Sequence, residues 1–291
     1  MSINKNKNEC IDKIHIAKIN PVIVCVAKME QPYIEEFVKY HLKLGFECIY
    51  LYDNEDLPTY KKILHKYLDK VVVTHLPGKN YVSGSQYEAL RRFVKNRISN
   101  PRISHVIHID IDEFIVLKKH RNIKEFIYEY MKTADNSVMC GGIGINWRFF
   151  GSSGHSNNIE VPNTIRFTHC EQKINPHIKT LFNKKMFSQF NECHSIRVKN
   201  NNYPIRSTNG QTIDGPVSTS PTNEVIQLNH YKCKTLSEFQ NIRTRLRADL
   251  QNDMVYPGKK LVESDEHVLN TFNAYDLNET EDMTAYNFYK N

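Results

Sequence analysis

Two aspartates stand two positions apart where an apolar segment of the chain runs into a loop, in the sequence HIDIDEF at residues 108–114. Alternate side chains of a strand share a face, so Asp110 and Asp112 are expected to point the same way. Two neighbouring carboxylates repel each other unless a positive charge lies between them. Mg²⁺ and Mn²⁺ prefer oxygen ligands and commonly join carboxylates to substrate phosphates. The pattern therefore predicts a divalent cation that neutralises the charge of a leaving diphosphate.

The elements that must position this motif alternate between apolar strands and amphipathic helices, as in a mostly parallel sheet. We predict strands at 21–27, 48–52, 71–75 and 105–111 and helices at 31–44, 57–68, 85–98 and 122–131. The acidic motif thus comes at the end of the fourth strand, and open α/β sheets bind ligands at the carboxyl ends of their strands. This position favours a ligand site over the alternative, a solvated acidic turn.

The second half of the chain is more irregular. Short strand-like segments are separated there by clusters of Gly, Asn and Ser, and Asn209-Gly210 is typical of a hairpin turn. The predicted elements are strands at 138–145, 163–169, 178–182 and 225–228 and a last helix at 235–250.

The composition is that of a globular protein, with 40% hydrophobic and 24% charged residues in a chain of 291. A net charge of +7 suits a polyanionic ligand such as a nucleotide diphosphate. The basic residues form no dense tract and no nucleic-acid-binding motif, so we expect no nucleic acid partner.

No apolar run approaches the ~20 residues that a membrane-spanning helix needs, and the polar segment 1–20 lacks the apolar core of a signal peptide. The seven cysteines are odd in number and show no C-x-x-C spacing, which predicts free thiols in a reducing compartment. We therefore expect a cytoplasmic protein without a membrane span. The Asn-, Lys- and Ile-rich composition is typical of an AT-rich genome, so the location would be the host cytoplasm if the chain is viral.

Seven groups of short motifs occur in the order that they have in glycosyltransferases of the family 92 and family 2-like group, which the chain resembles over about residues 21–250. They are VCVAKME with YIEEF (24–37), YH with LG (40–45), YLYDN (50–54), Gln86, DIDEF (110–114), NWRFFGSSG (146–154) and NHYK with LSEF (229–239). Phe37 stands where the family usually has Trp, and the turn at 233–235 departs from the usual pattern. Each motif is modest alone, but their common order makes the resemblance specific.

The resemblance implies a GT-A fold, a Rossmann-like α/β architecture with a mostly parallel sheet flanked by helices and an irregular acceptor-side half. It divides the chain into a polar N-terminal extension (1–20), a nucleotide-sugar half (21–135), an acceptor half (136–256) and a C-terminal tail (257–291). The implied activity is metal-dependent transfer of a hexose from a UDP- or GDP-sugar to a hydroxyl group of a glycan, protein or small molecule. Mn²⁺ or Mg²⁺ would be the cofactor, and the anomeric configuration would invert.

The resemblance also implies which residues form the donor site. Asp110, Asp112 and His230 would hold the metal. The nucleotide sugar would contact residues at the ends of the first strands, in the acidic motif and on two helices: Ala27, Lys28, Glu30, Asp53, Gln86, Asp110 and Arg245. Arg245 is one of three arginines on the last predicted helix, and only one of the three is expected to face the diphosphate.

The residues alone leave another interpretation open for several of these positions. His230 could be a core histidine, and Asp53 could form a turn with Asn54. Lys28 could be a solvated cation, and Gln86 could be a helix residue that faces water.

The segment from Trp147 to Gly154 is the predicted acceptor wall. Trp147 would pack against a sugar ring, and Gly151 would let the backbone come close to it. As the only tryptophan of the chain, Trp147 is also a candidate core residue.

An inverting reaction needs a base that takes the proton of the acceptor hydroxyl. Asp214 in the acceptor half is the first choice for a catalytic residue, and Glu171 and Glu192 lie in the same half. Glu113 directly follows the metal motif, but it should point to the opposite side from Asp112.

Two other classes of function would use similar residues. A metal-dependent phosphotransferase or nuclease would also use Asp110, Asp112 and His230, but the sequence has no P-loop, kinase loop or denser acidic cluster. A non-catalytic nucleotide- or glycan-binding protein of the same fold would bind its ligand without turnover, and glycan binding would then survive the loss of Asp112.

Overall fold

Residues 12–78, 84–132, 139–157, 160–243 and 265–291 are described by a computed structural model of the chain. The strands, numbered along the chain, are β1 (Pro21–Ala27), β2 (Cys48–Asp53), β3 (Val71–His75), β4 (His105–His108), β5 (Glu113–Leu117), β6 (Gly142–Phe149), β7 (His169–Cys170), β8 (Ile178–Asn183), β9 (Phe187–Phe190), β10 (Ile196–Val198), β11 (Ile205–Arg206), β12 (Ile226–His230) and β13 (Thr280–Glu281). The helices are α1 (Ile34–Lys43), α2 (Tyr60–Ile63), α3 (Gly84–Asn96), α4 (Ile123–Met131), α5 (Asn163–Arg166), α6 (Leu236–Arg243), α7 (Asp265–Tyr275) and α8 (Thr284–Lys290). Within these ranges, no helix has the length and apolar character needed to cross a membrane.

Nine of the strands form one mixed sheet in the order β3-β2-β1-β4-β8-β6-β12-β5, with β11 beside β6. Strands β1 to β4 are parallel, in the 3-2-1-4 order of a mononucleotide-binding half. β8 runs antiparallel to β4 and β6, and β12 runs parallel to β6 and antiparallel to β5. The carboxyl ends of β1, β2, β4, β6 and β12 and the first residues of β5 and β8 therefore lie at one edge of the sheet.

The first strand is buried on both faces because helices cover both sides of the parallel sheet. All seven residues of β1 are buried. Ile23 belongs to the same apolar cluster as Phe37 of α1, whereas Val24 belongs to a second cluster that contains Phe93 of α3. Successive side chains of a strand point to opposite faces, so α1 and α3 cover opposite sides. The predicted fold class, an α/β architecture with a mostly parallel sheet flanked by helices, is confirmed.

Some predicted elements differ from the observed ones. The segment predicted as a strand at 163–169 forms the helical turn α5 and the short strand β7. The carboxylate of Glu36 on α1 accepts hydrogen bonds from the backbone N–H groups of Asn163 at 2.7 Å and Thr164 at 2.9 Å and so caps the turn. A cap from so distant a residue leaves no local signal in the sequence. β4 ends at His108 rather than at residue 111, so the two aspartates lie beyond the strand.

Residues 265–291, predicted as part of a C-terminal tail, pack against the rest of the chain. The ring of Phe288 on α8 lies 4.9 Å from the ring of Tyr40 on α1. Asp282 accepts a hydrogen bond from Nε2 of Gln227 at 2.9 Å, and β13 pairs with β7. This part of the chain therefore belongs to the same folded body as the sheet, because its side chains complete packing and hydrogen bonds there.

Candidate active site

The polar residues at the carboxyl edge of the sheet come from both halves of the chain. Asp110 and Asp112 lie in the turn that joins β4 to β5, His230 ends β12, and Trp147 lies near the end of β6. The backbone links these segments, since the N–H of Tyr231 donates to the carbonyl oxygen of Asp112 at 2.8 Å. Parallel strands thus bring residues that are distant in sequence to one place.

Asp112 and His230 face each other at this edge, and we call them the acid–imidazole pair. Oδ2 of Asp112 lies 3.5 Å from Nε2 of His230, and the two side chains are 16% and 9% exposed. The imidazole packs against Trp147 and Phe149, with ring centroids 4.6 Å and 5.1 Å apart. These contacts hold the ring with Nε2 toward the carboxylate. A carboxylate oxygen and an imidazole nitrogen are both common ligands of divalent metals.

Asp110 is held by neighbours other than the acid–imidazole pair. Its Oδ1 accepts a hydrogen bond from Nε2 of Gln86 at 2.6 Å, and its Oδ2 accepts one from Nζ of Lys179 at 3.0 Å. Gln86 therefore joins the site as a partner of Asp110. Asp110 therefore has partners of its own, and a shared orientation of Asp110 and Asp112 around a cation stays a prediction. The residues follow the strand instead of extending it, so strand alternation does not apply to them.

A buried lysine that the sequence analysis did not identify supplies positive charge beside the acidic motif. Lys179 on β8 has no exposed surface, and its Nζ also lies 3.6 Å from Oε2 of Glu113. Burial raises the pKa of Glu113 well above its usual range, which favours the protonated acid. The sequence signal that could have identified Lys179 is its position inside an apolar strand, because a lysine buried there needs an acidic partner.

Asp53 ends β2 and has no exposed surface. Its Oδ2 accepts hydrogen bonds from the backbone N–H groups of Thr59 at 2.7 Å and Tyr60 at 3.1 Å, and its Oδ1 accepts one from Glu55 at 3.2 Å. The carboxylate therefore organises the loop after β2 and the start of α2. These bonds are those of the turn-forming alternative for Asp53, and a contact of Asp53 with a donor stays a prediction.

The other residues predicted to bind the nucleotide sugar lie around the end of β1 or outside the described residues. Ala27 is buried, and its carbonyl oxygen accepts a hydrogen bond from the N–H of Asn54 at 2.9 Å. Lys28 is half-buried directly after the strand, and Glu30 is buried a few residues before α1. Arg245 lies outside the described residues. The roles of these residues toward a donor stay predictions.

The indole of Trp147 is packed among imidazole rings. His177 stacks on it with ring centroids 5.4 Å apart, and His194 lies edge-on to it at 5.0 Å. Its Nε1 is buried and has no hydrogen-bond partner among the described residues. The immediate neighbours of the indole therefore include imidazole rings. The acceptor-binding role of Trp147 stays a prediction.

Gly151 lies against the C-terminal segment of the chain. A Cβ atom here would meet the side chain of Asn278 and would come within 2.7 Å of the carbonyl oxygen of Leu277. The next two residues hold the same segment, since the backbone N–H of Ser152 donates to the carboxylate of Asp276 and that of Ser153 donates to the amide oxygen of Asn278. The backbone at Gly151 thus lies close to another segment of the chain, and its approach to an acceptor stays a prediction.

Gly151→Ala is expected to destabilise the fold by about 1–3 kcal/mol, the usual cost of forcing a methyl group into packed space. The Asn278 side chain can move, but the carbonyl of Leu277 belongs to the backbone. Replacing Asn278 by Ala in the same variant should therefore recover only part of the loss. Urea denaturation measures the free energy of unfolding, and a loss below about 0.5 kcal/mol would show that this contact does not hold the segment.

The predicted base, Asp214, is exposed, and its carboxylate has no hydrogen bond or ion pair with any described residue. Burial raises the pKa of Glu171, whose Oε1 accepts a hydrogen bond from the N–H of Phe149 at 2.7 Å. Glu192 accepts a hydrogen bond from the hydroxyl of Ser195 at 3.2 Å. Within the described ranges none of the three carboxylates contacts the acid–imidazole pair directly, so the role of Asp214 stays a prediction.

The 3-2-1-4 strand order, with polar side chains gathered at the carboxyl edge, defines an α/β protein of the nucleotide-binding class. The chain matches the profile of glycosyltransferase family 92 over residues 20–268 and belongs to that family. The order of the motifs had predicted this family. A comparison with curated protein sequences gives no match.

Similar solved structures include residues 1–349 of TarS from S. aureus in complex with UDP, at 12% identity and a TM-score of 0.35, and HddC from Yersinia pseudotuberculosis, at 14% identity and a TM-score of 0.34. Each match covers 58% of this chain, with 48% of the TarS chain and 78% of the HddC chain. The chain thus spans about half of the TarS structure that it matches. These TM-scores are low, and the family assignment rests on the profile alone.

Proposed function

We propose that this family 92 member transfers a sugar from a UDP- or GDP-sugar to a hydroxyl group, with a divalent cation at the acid–imidazole pair and inversion at the anomeric carbon. The observation that supports the proposal is that Oδ2 of Asp112 faces Nε2 of His230 at the carboxyl edge of the parallel sheet. The inverting course is what the family resemblance implies. The acceptor and the cytoplasmic location stay predictions from the sequence.

The residues at this edge fit a small divalent cation that takes its other ligands from the substrate. Neighbouring ligands of an octahedral Mg²⁺ ion lie about 3 Å apart, and the two atoms of the acid–imidazole pair are 3.5 Å apart. Among the described residues, no three His, Cys, Asp or Glu side chains are grouped to hold an ion by themselves. Mg²⁺ is typically held by one or two carboxylates together with substrate phosphates and water. Once bound, such an ion neutralises charge on the leaving diphosphate.

Asp110 is proposed to contact the nucleotide sugar rather than the cation. Gln86 and Lys179 hold its carboxylate in one orientation, yet 31% of its side chain remains exposed. An ionised carboxylate has about four lone-pair positions, so those not used by these two donors can accept hydrogen bonds from ribose or sugar hydroxyl groups. Lys179 and Gln86 thus orient the carboxylate of Asp110 before a ligand binds.

Release of nucleotide from defined donors tests the proposed function. With UDP-glucose, UDP-galactose, UDP-N-acetylglucosamine, GDP-mannose and GDP-fucose as donors and water as acceptor, we expect release from at least one donor with Mn²⁺ and none with EDTA. NMR of the freshly released sugar should show the inverted anomeric configuration. Equal release in EDTA would contradict the metal dependence, and a retained configuration would contradict inversion. Nucleotide binding without release from any donor would favour the non-catalytic alternative.

A further inference from the structure

The loop between β9 and β10 brings a third imidazole to the candidate active site. The ring of His194 lies edge-on to Trp147, with centroids 5.0 Å apart, and Trp147 lies 4.6 Å from the ring of His230. One indole therefore contacts both the acid–imidazole pair and His194. Motif analysis did not identify His194, because it belongs to none of the matched motifs.

The hydrogen bond of His194 determines which ring nitrogen carries the proton. Its Nδ1 lies 3.1 Å from the carbonyl oxygen of Ile178. A carbonyl oxygen can only accept, so in the neutral ring Nδ1 is protonated and Nε2 has the lone pair. Nε2 has no hydrogen-bond partner among the described residues, and it is not fully buried. The lone pair is therefore accessible to a ligand.

The surroundings of His194 keep the imidazole neutral. Burial lowers its pKa to about 4, and the positive charge of Lys179 acts in the same direction, whereas Asp110 opposes it. A neutral imidazole can accept a proton, and a bound diphosphate would raise its pKa toward the range in which a base works best.

We propose that His194 is the general base of the transfer, an assignment that rests on the function proposed above. Nε2 takes the proton of the acceptor hydroxyl while the hydroxyl oxygen forms its bond to the anomeric carbon. The bond from this carbon to the diphosphate oxygen breaks, and its electron pair leaves with the nucleoside diphosphate. The imidazolium then returns its proton to solvent.

The three carboxylates considered from the sequence are less suited to this role. Asp214 is exposed to water and is not oriented by any described side chain. Glu171 uses Oε1 to hold the backbone of β6. Glu192 accepts a hydrogen bond from the hydroxyl of Ser195 and does not contact Trp147 through any described hydrogen bond. Only His194, among these four candidates, combines an oriented ring, an available lone pair and a contact with Trp147.

Rescue of a truncated variant by a free base tests the assignment. His194→Ala should lower kcat for nucleotide release by about 10²–10⁴-fold, the usual contribution of general base catalysis. The KM for the donor should change little, and added imidazole should restore part of the rate because the vacated space can admit it. The stabilisation of the variant by UDP or GDP with Mn²⁺ should equal that of the unaltered protein, since the proposed role places His194 at the acceptor hydroxyl and not at the nucleotide.

His65→Ala is the matched control. His65 makes the same kind of bond, from Nδ1 to the carbonyl oxygen of Lys62 at 3.1 Å, but it is exposed on the 3₁₀ turn before β3. Its replacement should change neither the rate nor the response to imidazole. An unchanged kcat in His194→Ala, or a loss that imidazole does not restore, would overturn the assignment. If the unaltered protein binds no nucleotide, the proposed function itself fails, and the assignment fails with it.

Discussion

Asp112→Asn is expected to lower kcat/KM for the best donor by about 10²–10³-fold, the loss typical of removing one preorganised electrostatic group. Asn keeps the size of the side chain and removes its charge, so Nε2 of His230 would face a neutral amide. Because cation affinity depends on the number of charged ligands, half-maximal activity should also need more Mn²⁺. Steady-state rates over a series of Mn²⁺ concentrations measure both effects.

Asp69→Asn is the matched control for this variant. Asp69 is an exposed aspartate in the turn before β3, so its change removes the same charge away from the site. Both variants should keep the melting temperature of the unaltered protein. Full activity of a folded Asp112→Asn protein would exclude Asp112 from the reaction.

Lys179→Met is expected to destabilise the protein by about 3 kcal/mol, the lower end of the cost of breaking a buried ion pair, because the Asp110 side chain left behind is partly exposed to water. Met fills a similar volume, but Asp110 would lose the ammonium group 3.0 Å from its Oδ2. The remaining carboxylate has no other cation beside it within the described part of the site. Urea denaturation at neutral pH measures the loss.

Two further variants distinguish the loss of the ion pair from the effect of replacing any lysine by methionine. Lys185→Met, on the exposed turn after β8, should change stability by less than about 0.5 kcal/mol. The double variant Lys179→Met with Asp110→Asn removes both charges and should recover most of the lost stability. A loss below about 1 kcal/mol in Lys179→Met would mean that the ammonium group does not compensate the buried charge.

The position of the site could be predicted from sequence because parallel strands give a strong local signal. β1 and β2 are apolar runs that end at or next to polar residues, and parallel strands place all their carboxyl ends at one edge. The same argument applies to His230, which ends β12 after a run of buried residues. The strand pattern thus predicted the edge of the sheet at which Asp112 lies, whereas the grouping of His230 with Asp112 was implied by the family resemblance.

The partners of Asp110 could not be predicted in the same way. Lys179 is 69 residues away in sequence and comes from β8, which enters the sheet by antiparallel pairing between β4 and β6. Nothing in the local sequence of β8 indicates which strands flank it. The position of His194 could not be predicted either, because His194 lies in a loop and loops have no periodic sequence pattern.

The C-terminal segment was missed for a different reason. Asp276 and Asn278 hold the backbone after Gly151 through single side-chain hydrogen bonds, one of which spans 124 residues. Polar contacts of this kind produce no apolar pattern, and the aromatic contact of Phe288 with Tyr40 joins two residues that are far apart in the sequence.

Nucleotide-dependent thermal unfolding tests the proposed donor site most directly. The unaltered protein and Asp112→Asn would be melted with UDP, GDP, CDP and dTDP, each with and without Mn²⁺. A ligand that binds only the native state at about 100 times its Kd adds about 2.7 kcal/mol of stability. We predict a higher melting temperature with UDP or GDP in the presence of Mn²⁺, and no such rise in Asp112→Asn. No rise with any nucleotide at millimolar concentration, or an equal rise in both proteins, would contradict a metal-dependent nucleotide-sugar site at Asp112 and His230.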